Sequence, residues 1–306
     1  MADRLGVAVV DSHEKYLGLP TFVGREKTAT FQYIKDRLSE KLKGWQRKLL
    51  SGVGKDILIR VVAQALPTYE ISCFQLTKNF CDDLQQMCAR FWWSSSENKK
   101  KIHWKAWKDL CYSKEEGGLE FRNLAAFNLA MLAKQAWRVI SNPESLIARI
   151  FKARYFPYGS FWTADLQTSP SYSWRSILAS RELLLKGSRW LIGNGANVFI
   201  WSSNWIPRVP STRPSANLTG MNNLARVQEL ILYARVWNED FIRGIFIPSD
   251  AEVILSIPLR YSSPPDRLVW HPERKGIFSV KTAYRLELSS TQAASPTPFG
   301  SNASIF

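Results

Sequence analysis

The sequence predicts a mainly α-helical fold followed by a small α+β part with β-hairpins. Apolar residues recur at helical spacing in several segments before residue 187, as in helices that bury one face. Beyond residue 187, bulky and β-branched runs surround an Asn-Gly pair, which is typical of a tight hairpin turn. The chain has 306 residues, of which 45% are hydrophobic and 13 are Trp. It can therefore bury a sizeable core and has room for about two domains.

The first helices are predicted over residues 26–50 and 55–66. Gly44 is expected to weaken the last turns of the first helix, and Pro67 to end the second. In the first helix an apolar stripe recurs at helical spacing, so this helix is expected to pack through one face. The stripe consists of Phe31, Ile34, Leu38, Leu42 and Trp45.

Four further helices are predicted in the middle of the chain. The longest begins after Asn123, a residue type that caps helices, and stops before Pro143. It is apolar nearly all round, as expected of a helix in the centre of a core. The four cover residues 82–93, 123–140, 144–155 and 173–186.

The C-terminal third is predicted to form two hairpins. Asn194-Gly195 would join strands over residues 189–192 and 198–201, because both central residues of a type I′ turn need positive φ. A second hairpin is predicted over 267–271 and 276–280. Residues 289–306 are rich in Ser, Thr, Ala and Pro and are expected to be disordered. Short helices are predicted over residues 225–234, 250–257 and from Lys281.

The composition points to a polyanionic partner. The formal net charge is +15 and the pI about 9.8. Nucleic acid is the first candidate partner and an anionic membrane the second, and the alternative is a basic globular protein whose charge serves solubility alone. No stretch predicts a signal peptide or a membrane span, so the expected location is intracellular, in nucleus or cytoplasm. Four Cys in a chain this long do not predict a disulfide framework.

Ordered motifs along most of the chain indicate a family. They are Tyr16-Leu17-Gly18-Leu19-Pro20, Trp45 with Leu50-Ser51 and Gly54-Lys55, Arg90-Phe91-Trp92-Trp93, Ile102-His103-Trp104, Glu116-Gly117-Gly118-Leu119, Leu132-Ala133-Lys134-Gln135-Ala136-Trp137-Arg138, Lys152-Ala153-Arg154-Tyr155-Phe156, Ser173-Trp174-Arg175-Ser176, Gly193-Asn194-Gly195 with Trp201, and Trp270 with Gly276 and Phe278-Ser279-Val280-Lys281. In this order they resemble the region downstream of the polymerase palm in plant LINE-type (non-LTR) retrotransposon reverse transcriptases, running into the start of the reverse transcriptase zinc-binding domain. Related chains are often labelled as ribonuclease H proteins.

The resemblance covers about residues 10–287 and implies a domain order. Residues 1–24 would be a remnant of the palm edge and residues 25–187 a helical thumb- or connector-like region. Residues 188–287 would be a small α+β region ending in the start of a zinc-binding-type module, and residues 288–306 a disordered tail.

The departures from the family pattern imply that the fragment is not an enzyme. In the family, the polymerase carboxylates lie upstream of this region and the ribonuclease H domain lies downstream. The zinc ligands, a Cys pair with a later His and Cys, follow the motif at Phe278. This chain leaves the pattern after Leu286 and has no Cys beyond Cys111. The resemblance therefore implies no catalytic residue, no metal and no cofactor here.

Two groups of residues could carry chemistry but are expected to be structural. Asp82-Asp83 superficially resembles a polymerase aspartate box, which holds two metal ions. Because the pair opens a predicted helix, it is expected to complement the helix dipole instead. The second group has spacings too wide for a zinc site and is expected to provide buried thiols. It consists of Cys73, Cys81, Cys88 and Cys111, with His103.

Basic residues are the predicted nucleic-acid contacts. One row, Arg37, Lys41 and Lys48, flanks the stripe of the first helix. Such side chains neutralise phosphates, whereas the alternative is a solvated face, and the two alternatives stay open. Trp104 and Trp107 could stack on bases but are expected to lie in the core instead. They interleave with a second basic run of Lys99, Lys100, Lys101, Lys105 and Lys108.

The predicted function is sequence-tolerant binding of RNA or DNA, without polymerase or ribonuclease H activity. It would be inherited from the thumb and connector of a retroelement polymerase. The alternative is a degenerate transposon fragment with no activity, or with a protein-interaction role only. The departure from the family pattern after Leu286 supports this alternative.

Overall fold

The computed structural model describes residues 15–21, 23–24, 26–48, 50–94, 102–208, 213–214, 226–233 and 235–293. The fold is mainly α-helical with a small α+β part, which confirms the predicted fold class. The chain forms two compact units. Unit 1 comprises Met1–Leu132 with Leu166–Ile177, and unit 2 comprises Ala133–Asp165 with Leu178–Phe306.

The elements follow one another in a simple order. Up to residue 141 they are β1 (Lys15–Tyr16), β2 (Leu19–Pro20), α1 (Lys27–Thr30), α2 (Gln32–Gln46), α3 (Gly52–Leu58, continued by a π-helical turn at Ile59–Ala63), α4 (Thr68–Ile71), α5 (Lys78–Trp93), α6 (Trp107–Leu110) and α7 (Leu124–Ser141). They continue with α8 (Leu146–Tyr155), α9 (Tyr172–Ala179), α10 (Arg181–Gly187), β3 (Ser188–Leu191), a 3-10 turn (Val227–Leu230), α11 (Glu239–Ile245), α12 (Pro248–Leu255), β4 (Arg267–Trp270) and α13 (Val280–Ala293). Within the described part of the chain, no helix has both the length and the apolar character that a membrane crossing requires.

Unit 1 is built on the packing of α2 against α5. The predicted stripe of α2 is confirmed, with four residues buried and Trp45 half-buried, and the helix continues through Gly44. Rings join the two helices at both ends. Phe31 lies 6.5 Å from Phe80, and Trp45 lies 5.8 Å from Phe91 between centroids. The stripe is therefore buried from Phe31 to Leu42, while Trp45 at its end is only partly covered.

A buried polar side chain anchors the first part of α7, up to Leu132, within unit 1. Asn128 is 2% exposed, and its amide donates to the carbonyls of Ile71 (2.7 Å) and Phe74 (2.9 Å). Its oxygen accepts from the backbone N–H of Leu76 at 2.8 Å. A buried amide with all these partners costs little to desolvate. Asn123 caps α7 as predicted, accepting from Ala126 N at 3.1 Å.

Several helix boundaries differ from the prediction because of local caps. Helix α5 begins at Lys78 rather than residue 82, since Thr77 caps it by accepting from Phe80 N at 3.3 Å. Helix α3 begins at Gly52 rather than residue 55, because Ser51 accepts from Gly54 N at 3.2 Å. The predicted helix 173–186 is divided at Ser180 into α9 and α10.

The first predicted hairpin is wrong in unit 2. Strand β3 pairs antiparallel with β4, with Ser188 opposite Trp270 and Leu191 opposite Arg267, rather than with residues 198–201. The physical reason is Asp266, whose buried carboxylate accepts from Gly193 N (2.8 Å), Gly195 N (2.9 Å) and Asn197 N (2.8 Å). The Asn-Gly loop therefore wraps a distant carboxylate instead of closing a local hairpin.

The second predicted hairpin is also wrong, although its turn exists. Trp270 N donates to Gly276 O at 2.9 Å, and Gly276 has a φ of +68°. The chain after the turn forms no second strand and enters α13 instead, since the side chains of Phe278 and Thr282 are engaged by Trp270. The buried Trp270 fixes this arrangement through a 2.8 Å hydrogen bond to Thr282 and ring packing on Phe278 at 4.7 Å.

The C-terminal part contains further differences. Helix α13 runs through Ala293, so the expected disorder is wrong for residues 289–293, and residues 294–306 lie outside the described residues. The hydroxyls of Ser290 and Thr291 donate to carbonyls one turn earlier, at 2.9 and 2.8 Å, so these polar side chains are satisfied within the helix. The predicted helix 225–234 is only the 3-10 turn, and α11 was not predicted.

Candidate nucleic-acid interface

The predicted basic row lies in solvent. Arg37 and Lys41 are exposed on α2, which buries its apolar stripe in unit 1. Lys48 is exposed too, but α2 ends at Gln46, so Lys48 follows the helix instead of lying on it as predicted. All three ammonium or guanidinium groups are thus available to a partner in solution.

The charges of α2 are unevenly distributed along its exposed residues. The carboxylates Asp36 and Glu40 lie in its first two-thirds, and Gln32 donates to Asp36 at 3.1 Å. Exposed Lys43 and Arg47 join Lys48 at the C-terminal end. Cations at this end also stabilise the helix through its dipole, so part of their role is structural. The exposed cations are therefore concentrated where α2 ends.

A groove of about 340 Å³ opens at this end of α2 and reaches the start of α3. Its lining includes Trp45, Lys48 and Lys55. Lys55 is half-buried and donates to the backbone carbonyls of Ser94 and of Trp92, the latter at 3.4 Å. Its ammonium nitrogen lies 5.8 Å from the ring centroid of Phe91. Lys55 is therefore an anchored positive charge, whereas Lys48 extends into solvent.

The second basic run is only partly described. Lys99, Lys100 and Lys101 lie outside the described residues. Lys105 is half-buried and donates to Gly117 O at 2.6 Å, so it fastens a turn of unit 1. Lys108 is exposed. The structure does not assemble this run into one row.

The two tryptophans of this run have different environments. Trp107 packs in the core as predicted, stacked on Phe121 with 4.9 Å between centroids and 9° between planes. Trp104 is 80% exposed, so its expected place in the core is wrong. Helix α6 begins only at Trp107, and the helical spacing of the two residues therefore does not bring Trp104 to the buried face.

Asp82 and Asp83 do not have the predicted position. Because α5 begins at Lys78, they lie in its second turn and not at its positive end. Asp83 pairs with Lys35 at 2.5 Å, and Asp82 accepts from Gln85 at 3.1 Å. Each carboxylate is thus engaged by a side chain of unit 1, an arrangement unlike two oxygens converging on metal ions.

The environments of the cysteines disfavour a zinc site. Cys81, Cys88 and Cys111 are buried, and burial raises the pKa of each thiol to about 12. Zinc binds the thiolate, which these environments disfavour. Among the described residues, no three His, Cys, Asp or Glu side chains converge closely enough to hold a metal ion.

Sequence reasoning missed one buried carboxylate near the row. Glu70 is 4% exposed and accepts from the hydroxyl of Tyr33, on α2, at 2.9 Å. Burial and this hydrogen bond raise the pKa of Tyr33, while the charge of Arg37 lowers it. The burial of Glu70 depends on its contact with Tyr33, which lies 37 residues earlier in the sequence. The residues next to Glu70 therefore do not indicate that it is buried.

Comparison with known proteins gives two relatives. No family model matches the chain. It is 50% identical to the uncharacterized mitochondrial protein AtMg00310 of Arabidopsis thaliana over 143 residues, which are 46% of this chain and 93% of that protein. It is 28% identical to the putative ribonuclease H protein At1g65750 of Arabidopsis thaliana over 279 residues. That match covers 88% of this chain, and the chain spans only 44% of the length of that relative.

Proposed function

The chain belongs to the family of the mitochondrial protein AtMg00310 of Arabidopsis thaliana, and from this premise we propose that it is a retrotransposon-derived, reverse transcriptase-like fragment that binds RNA or DNA. The order of the motifs resembles LINE-type reverse transcriptases from Tyr16 to Lys281. The likeness to a protein named as a ribonuclease H protein extends over 88% of the chain and supports the same origin.

The exposed basic row on α2 and just after its end supports this proposal best. Arg37, Lys41 and Lys48 are all exposed, while the stripe of α2 is buried from Phe31 to Leu42. Side chains of this kind bind phosphates and displace condensed counterions, which gives affinity without base readout. The net charge of +15 adds long-range attraction for a polyanion.

The proposed role is binding without polymerase or ribonuclease H catalysis by this chain. Polymerase chemistry needs carboxylates that share metal ions. The adjacent pair Asp82-Asp83 is engaged by Lys35 and Gln85 on a helix, which supports a structural role for it.

Salt-dependent binding of the whole chain tests this function. We expect fluorescence anisotropy at low salt to show binding to single-stranded RNA and DNA, with similar affinity for strands of shuffled sequence. The affinity should fall steeply and linearly in a plot of log affinity against log salt. Absence of binding at low salt, or an affinity that salt leaves unchanged, would contradict the proposal.

A protein-interaction role is the second candidate, favoured by the surface of α8. Leu146, Ile147 and Ile150 are exposed on this helix, with Leu146 at 72%, although Ala148 and Phe151 of the same helix are buried. An apolar surface of this kind favours contact with another protein. Failure of the anisotropy experiment would make this account the better one.

A further inference from the structure

The groove at the end of α2 has the chemistry of a nucleotide site. Its lining contains two lysines, Lys48 and Lys55, two aromatic rings, Trp45 and Phe91, and no carboxylate. We propose that this α2–α3 groove holds one nucleotide of a bound single strand, with the base against Trp45 and a phosphate on Lys48. This inference rests on the proposed function and assigns a specific site within it.

Trp45 is suited to receive a base. It is half-buried, and its ring packs on the buried ring of Phe91 at 5.8 Å and 55°, so the core fixes its orientation. Trp45 also lines the groove. Because the ring is already held in place, the Trp45 side chain loses little conformational entropy when a base stacks on it. Stacking also tolerates every base, in keeping with sequence-independent binding.

The two lysines have complementary roles at the groove. Lys55 is fixed by the carbonyls of Ser94 and Trp92 and supplies a stationary positive charge at the wall. Lys48 is exposed and can follow the phosphate of a flexible strand. Asp36 and Glu40, the exposed carboxylates of α2, are absent from the lining, so no negative charge opposes an anion there.

The volume of the groove fits one nucleotide. About 340 Å³ lies at the small end of the range for ligand pockets, roughly 300–1,000 Å³. A base paired in a duplex cannot leave its stack without an energetic cost, whereas a base of a single strand is free to enter. The site should therefore favour single strands over duplexes.

Base removal provides the direct test. Anisotropy of the full chain is measured with a labelled oligothymidine strand and with an abasic strand of equal length and charge. We expect the strand with bases to bind about tenfold more tightly, within the range for one stacked base. Substitution W45L, which keeps apolar packing on Phe91, should remove this preference.

Matched variants separate the groove from its surroundings. K48Q should weaken binding of both strands more than K43Q, which removes an equal charge from the same end of α2 but outside the groove lining. The preference should survive W104A, which deletes the exposed tryptophan elsewhere in unit 1. Circular dichroism checks that each variant is folded. If W45L does not fold, photo-crosslinking of a 4-thiothymidine strand to the wild type must label the peptide that carries Trp45.

The outcomes distinguish this site from the general proposal. Binding of both strands with equal affinity overturns the nucleotide site and leaves the phosphate-driven function standing. Loss of the preference in W104A rather than W45L, equal effects of K48Q and K43Q, or crosslinks confined to other peptides also overturn it. Failure to bind either strand at low salt overturns both the site and the proposed function.

Discussion

Three of the four cysteines have buried thiols that are poorly reactive at neutral pH. Cys81, Cys88 and Cys111 lie in the interior of unit 1, where burial raises their pKa to about 12 from the ordinary 9.0. Since the raised value belongs to the folded state, each thiol contributes stability that is complete below pH 9 and is lost as the pH rises towards 12. At neutral pH these residues act as small apolar side chains.

Thiol labelling at pH 8 should therefore distinguish Cys73 from the others. Cys73 is only half-buried, so we expect one fast-reacting thiol in the native chain and four in guanidinium chloride. The thiolate, and not the thiol, reacts with a disulfide reagent such as Ellman's reagent. The variant C73S should lose the fast reaction. Two or more fast thiols in the native chain would show that the interior is more open than the structure indicates.

At the scale of elements, unit 2 is held by contacts between segments far apart in sequence. Asp266, just before β4, accepts three backbone N–H groups from the loop after β3. Gly187, at the end of α10, lies so close to Trp270 that an added Cβ would come within 2.2 Å of the indole. The β3–β4 pair depends on both contacts.

Removal of the Asp266 carboxylate should destabilise unit 2. In D266A three backbone N–H groups, two of them in the buried Gly193 and Gly195, lose a charged acceptor, and we expect the free energy of unfolding to fall by about 3 kcal/mol. The control D165A changes an exposed carboxylate of the same unit and should alter it by less than about 0.5 kcal/mol. Guanidinium denaturation followed by circular dichroism measures both. Equal stability of the two variants would contradict this role for Asp266.

Two glycines of unit 2 should respond in opposite directions to the same substitution. G187A forces a methyl group against Trp270 and should lower the free energy of unfolding by about 1–3 kcal/mol. G244A places the methyl group in open space on α11 and should raise it by about 0.5 kcal/mol. The same denaturation experiment compares them. A neutral G187A would mean that Trp270 can move away from α10.

At the scale of the whole molecule, the sequence predicts which face of a helix is buried, but it does not predict contacts between residues far apart in the chain. The stripe of α2 follows from the spacing of Phe31, Ile34 and Leu38, since periodicity alone determines which face packs. The pairing of β3 with β4 depends on Asp266, more than 70 residues after the Asn-Gly loop, and no local signal shows it. The exposure of Arg37 and Lys41 follows from that periodicity. Lys48 lies beyond the end of α2, and the groove needs α2, α3 and α5 together.

The chain by itself should not polymerise DNA. Primer extension on an RNA or DNA template with Mg²⁺ or Mn²⁺ is expected to give no product, because Asp82 and Asp83 are engaged within unit 1. The variant D83N should behave identically to the wild type in this assay. Template-dependent synthesis that D83N abolishes would show that the pair is catalytic and that the proposed function is incomplete.

Charge reversal tests most directly the central claim, that nucleic acid binds the exposed basic row on α2 and just after its end. Salt titration of single-strand binding compares the wild type with a variant in which Arg37, Lys41 and Lys48 become Glu. In a control variant, three exposed cations of α8, namely Arg149, Lys152 and Arg154, become Glu. The control and the α2 variant therefore have the same net charge. The stripe of α2 is untouched, so the first variant should fold while its affinity drops and its log–log salt slope falls by about 2. The control should lose less affinity and keep more of the slope. Equal binding by the α2 variant and the wild type, or equal losses in the two variants, would contradict the claim.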